Sequence, residues 1–90
     1  MSPAERPEES PIRVLIVDDD EAHAEALVDG LETENCVCRM AHSGRAGIEL
    51  MEESTFDAVL TDLVMHDVGG LQVLEEARRL QPEAVVLLIT

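Results

Sequence analysis

Apolar positions along the chain follow two spacings that alternate. Ile12 to Val17 is a nearly continuous apolar run, Cys36 to Ala41 is short and mixed, Asp57 to Asp62 is an apolar stretch ending in a carboxylate, and Ala84 to Ile89 is the most apolar run. Runs of this kind suit strands buried on both faces by flanking helices. Between the first two runs, Ala24, Leu27, Val28 and Leu31 recur at i, i+3, i+4 and i+7, while Glu25, Asp29 and Glu32 fall outside that stripe. The spacing predicts an amphipathic helix from near Glu21 to near Glu34. A second helix is predicted over Gly44 to Glu53, with Gly47, Ile48 and Met51 inward and Ser43 as N-cap. A third begins at Gly70, turns Val73, Leu74, Ala77 and Leu80 inward, and stops at Pro82. Glu75 and Glu76 precede Arg78 and Arg79 at helix-neighbour spacing, which makes that end a solvated, charged one.

The resulting order is β-α-β-α-β-α-β. Strict alternation with short connections implies right-handed crossovers and a parallel α/β sheet, with ligands expected at the carboxyl ends of the strands. Arg39, between apolar neighbours, marks Cys36 to Ala41 as a less buried edge strand. Met1 to Pro11 carries prolines, glutamates and serines with almost nothing to bury, so residues 1–11 are expected to be a flexible tail and residues 12–90 the domain.

Composition narrows the function classes. A chain of 90 residues supports one small core, and with Phe56 as the single aromatic residue that core must be aliphatic and methionine-based. A formal net charge of −14, with no lysine, argues against a nucleic-acid or anionic-membrane surface. No stretch approaches a membrane span and no signal peptide opens the chain, so a cytoplasmic location is expected. Cys36 and Cys38 alternate along one strand, a poor geometry for bonding each other, and are expected to stay reduced.

Candidate chemistry collects on one sheet edge. Val17 is followed directly by Asp18, Asp19, Asp20 and Glu21, and each carboxylate raises the cost of ionising its neighbours. Either a divalent cation relieves that crowding, or the cluster is a solvated loop whose aspartate caps the next helix. Asp62 and Thr90 end two other predicted strands on the same edge.

Taken together, VLIVDDD (Val14 to Asp20), LTDLVM (Leu60 to Met65), Gly70-Leu71 and Leu88-Ile89-Thr90 resemble the receiver domain of two-component response regulators, particularly receivers that precede transcriptional activators. The resemblance covers Ile12 to Thr90. It implies a flavodoxin-like sheet of order 2-1-3-4-5, with Cys36 to Ala41 at an edge. It also implies Asp62 as phosphoacceptor and Thr90 as switch hydroxyl. Asp18, Asp19 and the backbone carbonyl of Val64 would join Asp62 in holding Mg²⁺. Asp20 and Glu21 are read as complements to the first helix dipole, Asp20 at most assisting at the metal. The implied partners are a sensor histidine kinase or phosphotransfer protein and an output domain of the same parent chain.

Three departures accompany the resemblance. The family's last helix-strand-helix portion and its fifth-strand lysine are absent, so the sequence is expected to be a receiver truncated after the fourth strand, self-associating through that exposed strand. His66 stands where the family usually has proline, and Gly69 where it usually has aspartate. His66, His23 and His42 are expected to be ordinary surface residues. Two competing readings are a haloacid-dehalogenase-like phosphatase using Asp18 and Asp20, and a pseudo-receiver that binds neither metal nor phosphate.

Overall fold

In the computed structural model, which describes residues 10–32 and 34–89, the alternating pattern becomes four strands and three helices. They are β1 (Ile12–Val17), α1 (Glu21–Glu32), β2 (Cys36–Ala41), α2 (Gly44–Glu53), β3 (Ala58–Asp62), α3 (Gly70–Leu80) and β4 (Val85–Ile89). Most of the expected tail and Thr90 lie outside the described residues. No helix among the described residues is long and apolar enough to cross a membrane.

All pairings are parallel, in the order β2-β1-β3-β4. This is the flavodoxin-like arrangement expected, with β2 at one edge. Boundaries shift by a residue or two. α1 ends at Glu32 rather than Glu34, because the Glu34 amide closes a turn onto the Leu31 carbonyl at 2.9 Å and Asn35 adopts a positive φ of 59°. Asparagine tolerates that left-handed conformation better than most residues, which is how the chain reverses into β2. β3 starts at Ala58 rather than Asp57, whose side-chain Oδ2 accepts the Arg13 amide at 2.8 Å at the strand entrance. Ser43 caps α2 as expected, its hydroxyl accepting the Ala46 amide at 3.0 Å.

Strand periodicity divides the core between the two sheet faces. Leu15, Val17 and Val59 pack with Met51 of α2, Phe56, and Val73 and Ala77 of α3. Val14 and Ile16 pack on the other face with Ala24 of α1. β1 is therefore covered on both sides, and each fully buried aliphatic side chain there contributes roughly 1.5–3 kcal/mol. α2 approaches so closely that a β-carbon on Gly47 would stand 2.7 Å from Val17 Cγ2.

The exposed apolar edge expected of the fourth strand is present in β4. Val86 faces the α2/α3 cluster, but Val85 and Leu87 point the other way and remain 56% and 53% exposed. The reason is position: α1 packs over β2 and β1, and β4 lies at the opposite edge of the sheet.

Gln81 locks the end of the sheet opposite the acidic cluster. Its buried side chain accepts the Phe56 amide at 2.9 Å and donates to the carbonyls of Met51 (2.8 Å) and Ser54 (2.7 Å). One amide thus satisfies backbone groups left over where α2 ends and β3 begins.

Candidate metal centre

β1 and β3 are neighbours in register, with Val17 opposite Thr61, so the next residues, Asp18 and Asp62, emerge side by side from adjacent strands. Parallel strands lie about 4.8 Å apart, which sets the separation of two such side chains. Asp19 follows on the same loop, and one carboxylate oxygen from each of Asp18, Asp19 and Asp62 lies within 4.8 Å of the others. Asp18 is buried, while Asp19 and Asp62 are partly exposed. The sheet thus assembles three of the residues singled out from the sequence.

Each carboxylate is oriented by its own hydrogen bonds. Asp18 Oδ1 accepts the Asp20 amide at 2.9 Å, and its Oδ2 is paired with Nδ1 of His23. Asp20 turns away from the cluster: its Oδ1 accepts the His23 amide at 3.1 Å, making it the N-cap of α1. The helix-capping role expected of one aspartate in the acidic run therefore belongs to Asp20, which leaves Asp18 and Asp19 beside Asp62. Asp19 Oδ2 faces His66 across the site, 2.6 Å from its Nδ1 and 3.2 Å from its amide.

Around Asp62 the constraints are on the backbone. The Asp62 carbonyl accepts the Thr61 hydroxyl at 3.1 Å, and Gly70 presses against it so closely that a β-carbon there would lie 2.2 Å away. The next residue, Leu63, donates its amide to Ile89 at 3.2 Å and accepts that of Gly70 at 2.9 Å. These bonds close the β3–α3 loop into a tight arch, on which Val64 is exposed.

The far side of the arch is fastened to α2. Asp67 accepts the amides of Gly44 (3.0 Å) and Arg45 (2.9 Å), and these bonds, with that of Val68, hold its carboxyl down to about 2. α2 is thus capped twice, by Ser43 from its own chain segment and by Asp67 from 23 residues away.

Two histidines depart from expectation. His23 and His66 are surface residues, as read from the sequence, yet both rings bond to carboxylates of the acidic cluster. His23 was detectable in principle, since its ring partner Asp18 is only five residues away and the Asp20 cap places His23 in the first turn of α1. His66 carried no local signal, because its partner lies 47 residues away. Asp67 was also missed: α2 already had a cap in Ser43, so nothing in the sequence called for another. Thr90 lies outside the described residues.

The donor set is oxygen-rich and anionic, suited to a hard divalent cation such as Mg²⁺, which takes one or two carboxylates and completes its shell with water and phosphate oxygens. Mutual repulsion of three carboxylates is the physical reason that such an ion fits.

Comparison with known proteins places this geometry. The family model for the response regulator receiver domain matches residues 14–90. Over 79 residues the chain is 37% identical to the transcriptional regulatory protein ZraR of Escherichia coli K12, covering 88% of this chain and 18% of that protein. The chain spans about a third or less of the length of the curated relatives it matches. Among solved structures, it is similar to a Burkholderia pseudomallei response regulator with a phosphorylated aspartic acid, calcium ion and citrate. That likeness has a TM-score of 0.82 at 30% identity, over 86% of this chain and 45% of the other. It is also similar to the response regulator TrrA of Thermotoga maritima in complex with Mg(2+)-BeF, with a TM-score of 0.80 at 28% identity, over 86% and 67% of the two chains. With the sheet order, the acidic cluster and a family match over most of its length in agreement, the chain belongs to the response regulator receiver domain family.

Proposed function

We propose that this domain is a phosphorelay receiver in which Asp62 accepts a phosphoryl group from a phosphohistidine of a sensor kinase or phosphotransfer protein. The observation that carries the reading is the convergence of Asp18, Asp19 and Asp62 from two adjacent strand ends. A carboxylate oxygen of Asp62 attacks phosphorus, the P–N bond to the donor imidazole breaks with its electron pair going to nitrogen, and an aspartyl phosphate remains. Asp18, Asp19, Asp62 and the backbone carbonyl of Val64 would hold Mg²⁺. When bound, the ion neutralises negative charge between nucleophile and phosphoryl donor.

Asp62 is favoured over Asp18 as the nucleophile. Both oxygens of buried Asp18 already accept hydrogen bonds, and Asp20, the acid/base partner a phosphatase would need, is committed to capping α1. The domain on this reading is a signalling element and not a turnover enzyme. The phosphoryl group adds close to two charges and three acceptor oxygens at the sheet edge, to which the Thr90 hydroxyl would donate, biasing a two-state equilibrium that controls an output domain. The likeness to a transcriptional regulatory protein supports a transcriptional output and a cytoplasmic setting.

Incubation with Mg²⁺ and a small phosphodonor, read by intact mass, tests the reading. Addition of one phosphoryl group that Asp62→Asn abolishes supports it. Labelling that survives Asp62→Asn and disappears in Asp18→Asn favours the phosphatase chemistry. No labelling in a chain extended beyond Thr90 makes the domain a pseudo-receiver.

A further inference from the structure

The contact between His66 and Asp19 is the one link that joins the β3–α3 arch to the carboxylates contributed by the β1–α1 loop among the described residues. Two donors from one residue, the backbone amide and the ring Nδ1, converge on a single oxygen, Oδ2, so that neither engages Oδ1. A carboxylate held by two donors on one oxygen keeps a fixed rotamer, and hydrogen bonds to an ionised acceptor are stronger than neutral ones. The ring itself is 97% exposed, so packing does not hold it and the bonds to Asp19 define where it sits.

The arch is prepared for this contact from its other side. Asp67, the next residue, is fastened to the amides of Gly44 and Arg45, and the Gly70 amide bonds to Leu63. A β-carbon on Gly44 would lie 2.6 Å from the Val68 carbonyl oxygen, so α2 and the arch are in close backbone contact. Residue 66 is thereby presented to Asp19 with little remaining freedom, and the entropy lost on forming the contact is correspondingly small.

We infer that His66 is a positioning residue of the metal centre, holding Asp19 in its ligating orientation through both its ring and its amide. The inference rests on the reading of Asp18, Asp19 and Asp62 as a Mg²⁺ site. Residues that orient metal-binding groups typically change metal affinity 10–100-fold when removed.

Three substitutions separate the two donors. His66→Asn retains both, since asparagine Nδ2 is attached to Cγ just as histidine Nδ1 is. His66→Ala keeps only the amide, and His66→Pro removes ring and amide donor together. Mg²⁺ binding to the 90-residue chain is measured by calorimetry, with circular dichroism checking that each variant folds and Asp62→Asn as the site control. Wild type and His66→Asn are expected to bind alike, His66→Ala about 10-fold more weakly, and His66→Pro more weakly again.

A positioning role is overturned if His66→Ala and His66→Pro bind as tightly as wild type, or if His66→Asn is as weak as His66→Ala while folded. A structural effect alone would lower the melting temperature without producing rescue by asparagine. If wild type binds Mg²⁺ no better than Asp62→Asn, the metal reading fails and this inference fails with it. If wild type binds and only the histidine series is flat, the metal reading stands and the inference alone is lost.

Discussion

Gly70 lies against the carbonyl oxygen of Asp62, where a β-carbon would stand 2.2 Å from that oxygen and 2.8 Å from Leu63 Cα. Both neighbours are backbone, so neither can turn aside as a flexible side chain would. Gly70→Ala must move the start of α3 or the end of β3, and overpacking of this kind costs about 1–3 kcal/mol or more. Gly30, in α1, has nothing within 4 Å of the same construction. Gly30→Ala should stabilise the chain by about 0.5–1 kcal/mol through helix propensity. Urea unfolding of both variants checks the pair, and equal effects would contradict the packing seen here.

Asp67 makes the acid limb of stability partly its own. The amides of Arg45, Val68 and Gly44 lower its pKa from the ordinary 3.8 to about 2, outweighing the opposing effect of desolvation. A carboxyl depressed in the folded state contributes stability that is complete above the unfolded value and is lost as pH falls through the folded one. The stability difference between wild type and Asp67→Asn should therefore be constant above about pH 5 and shrink between about pH 4 and pH 2. Unfolding at a series of pH values reads it directly. A difference that does not change over this range would show that the amides do not hold the charge.

Gln81 should be the most sensitive polar position away from the acidic edge. Gln81→Leu leaves the Phe56 amide and the Met51 and Ser54 carbonyls without their side-chain partner. Stranded buried groups of this kind cost about 1–3 kcal/mol each before any relaxation, so a loss on the order of 3 kcal/mol is expected. Gln81→Glu keeps an acceptor for Phe56 but replaces the donor with a charge, and should also destabilise. Thermal melts give both values, and a neutral Gln81→Leu would mean that water replaces the amide at no cost.

The edge strand β4 carries the prediction for association. Its outer backbone has no strand partner among the described residues, and Val85, Leu87 and Leu88 are exposed. An apolar edge of this kind templates pairing with another chain. Sedimentation should show concentration-dependent self-association of the 90-residue chain, reduced by Leu87→Lys. A cooperatively unfolding monomer at high concentration would rule the pairing out.

The sequence by itself determined the element order, the parallel topology, the edge position of β2 and the residues that meet as an acidic triad. These were legible because they depend on local periodicity and on the rule that adjacent parallel strands deliver their last residues to one edge. The Ser43 cap was legible for the same reason, since its partner is three residues away. Tertiary structure decided what periodicity does not encode. The bonds from His66 to Asp19, from Asp67 to the amides of α2, and from Gln81 to the end of α2 join residues 47, 23 and 30 apart. All three are polar side chains outside any apolar stripe, and their roles depend on which backbone groups the fold leaves unpaired nearby. The exposed edge at β4 was already expected from the sequence, but which of its side chains stay covered depends on the elements that pack over it, Val86 facing the α2/α3 cluster while Val85 and Leu87 remain exposed.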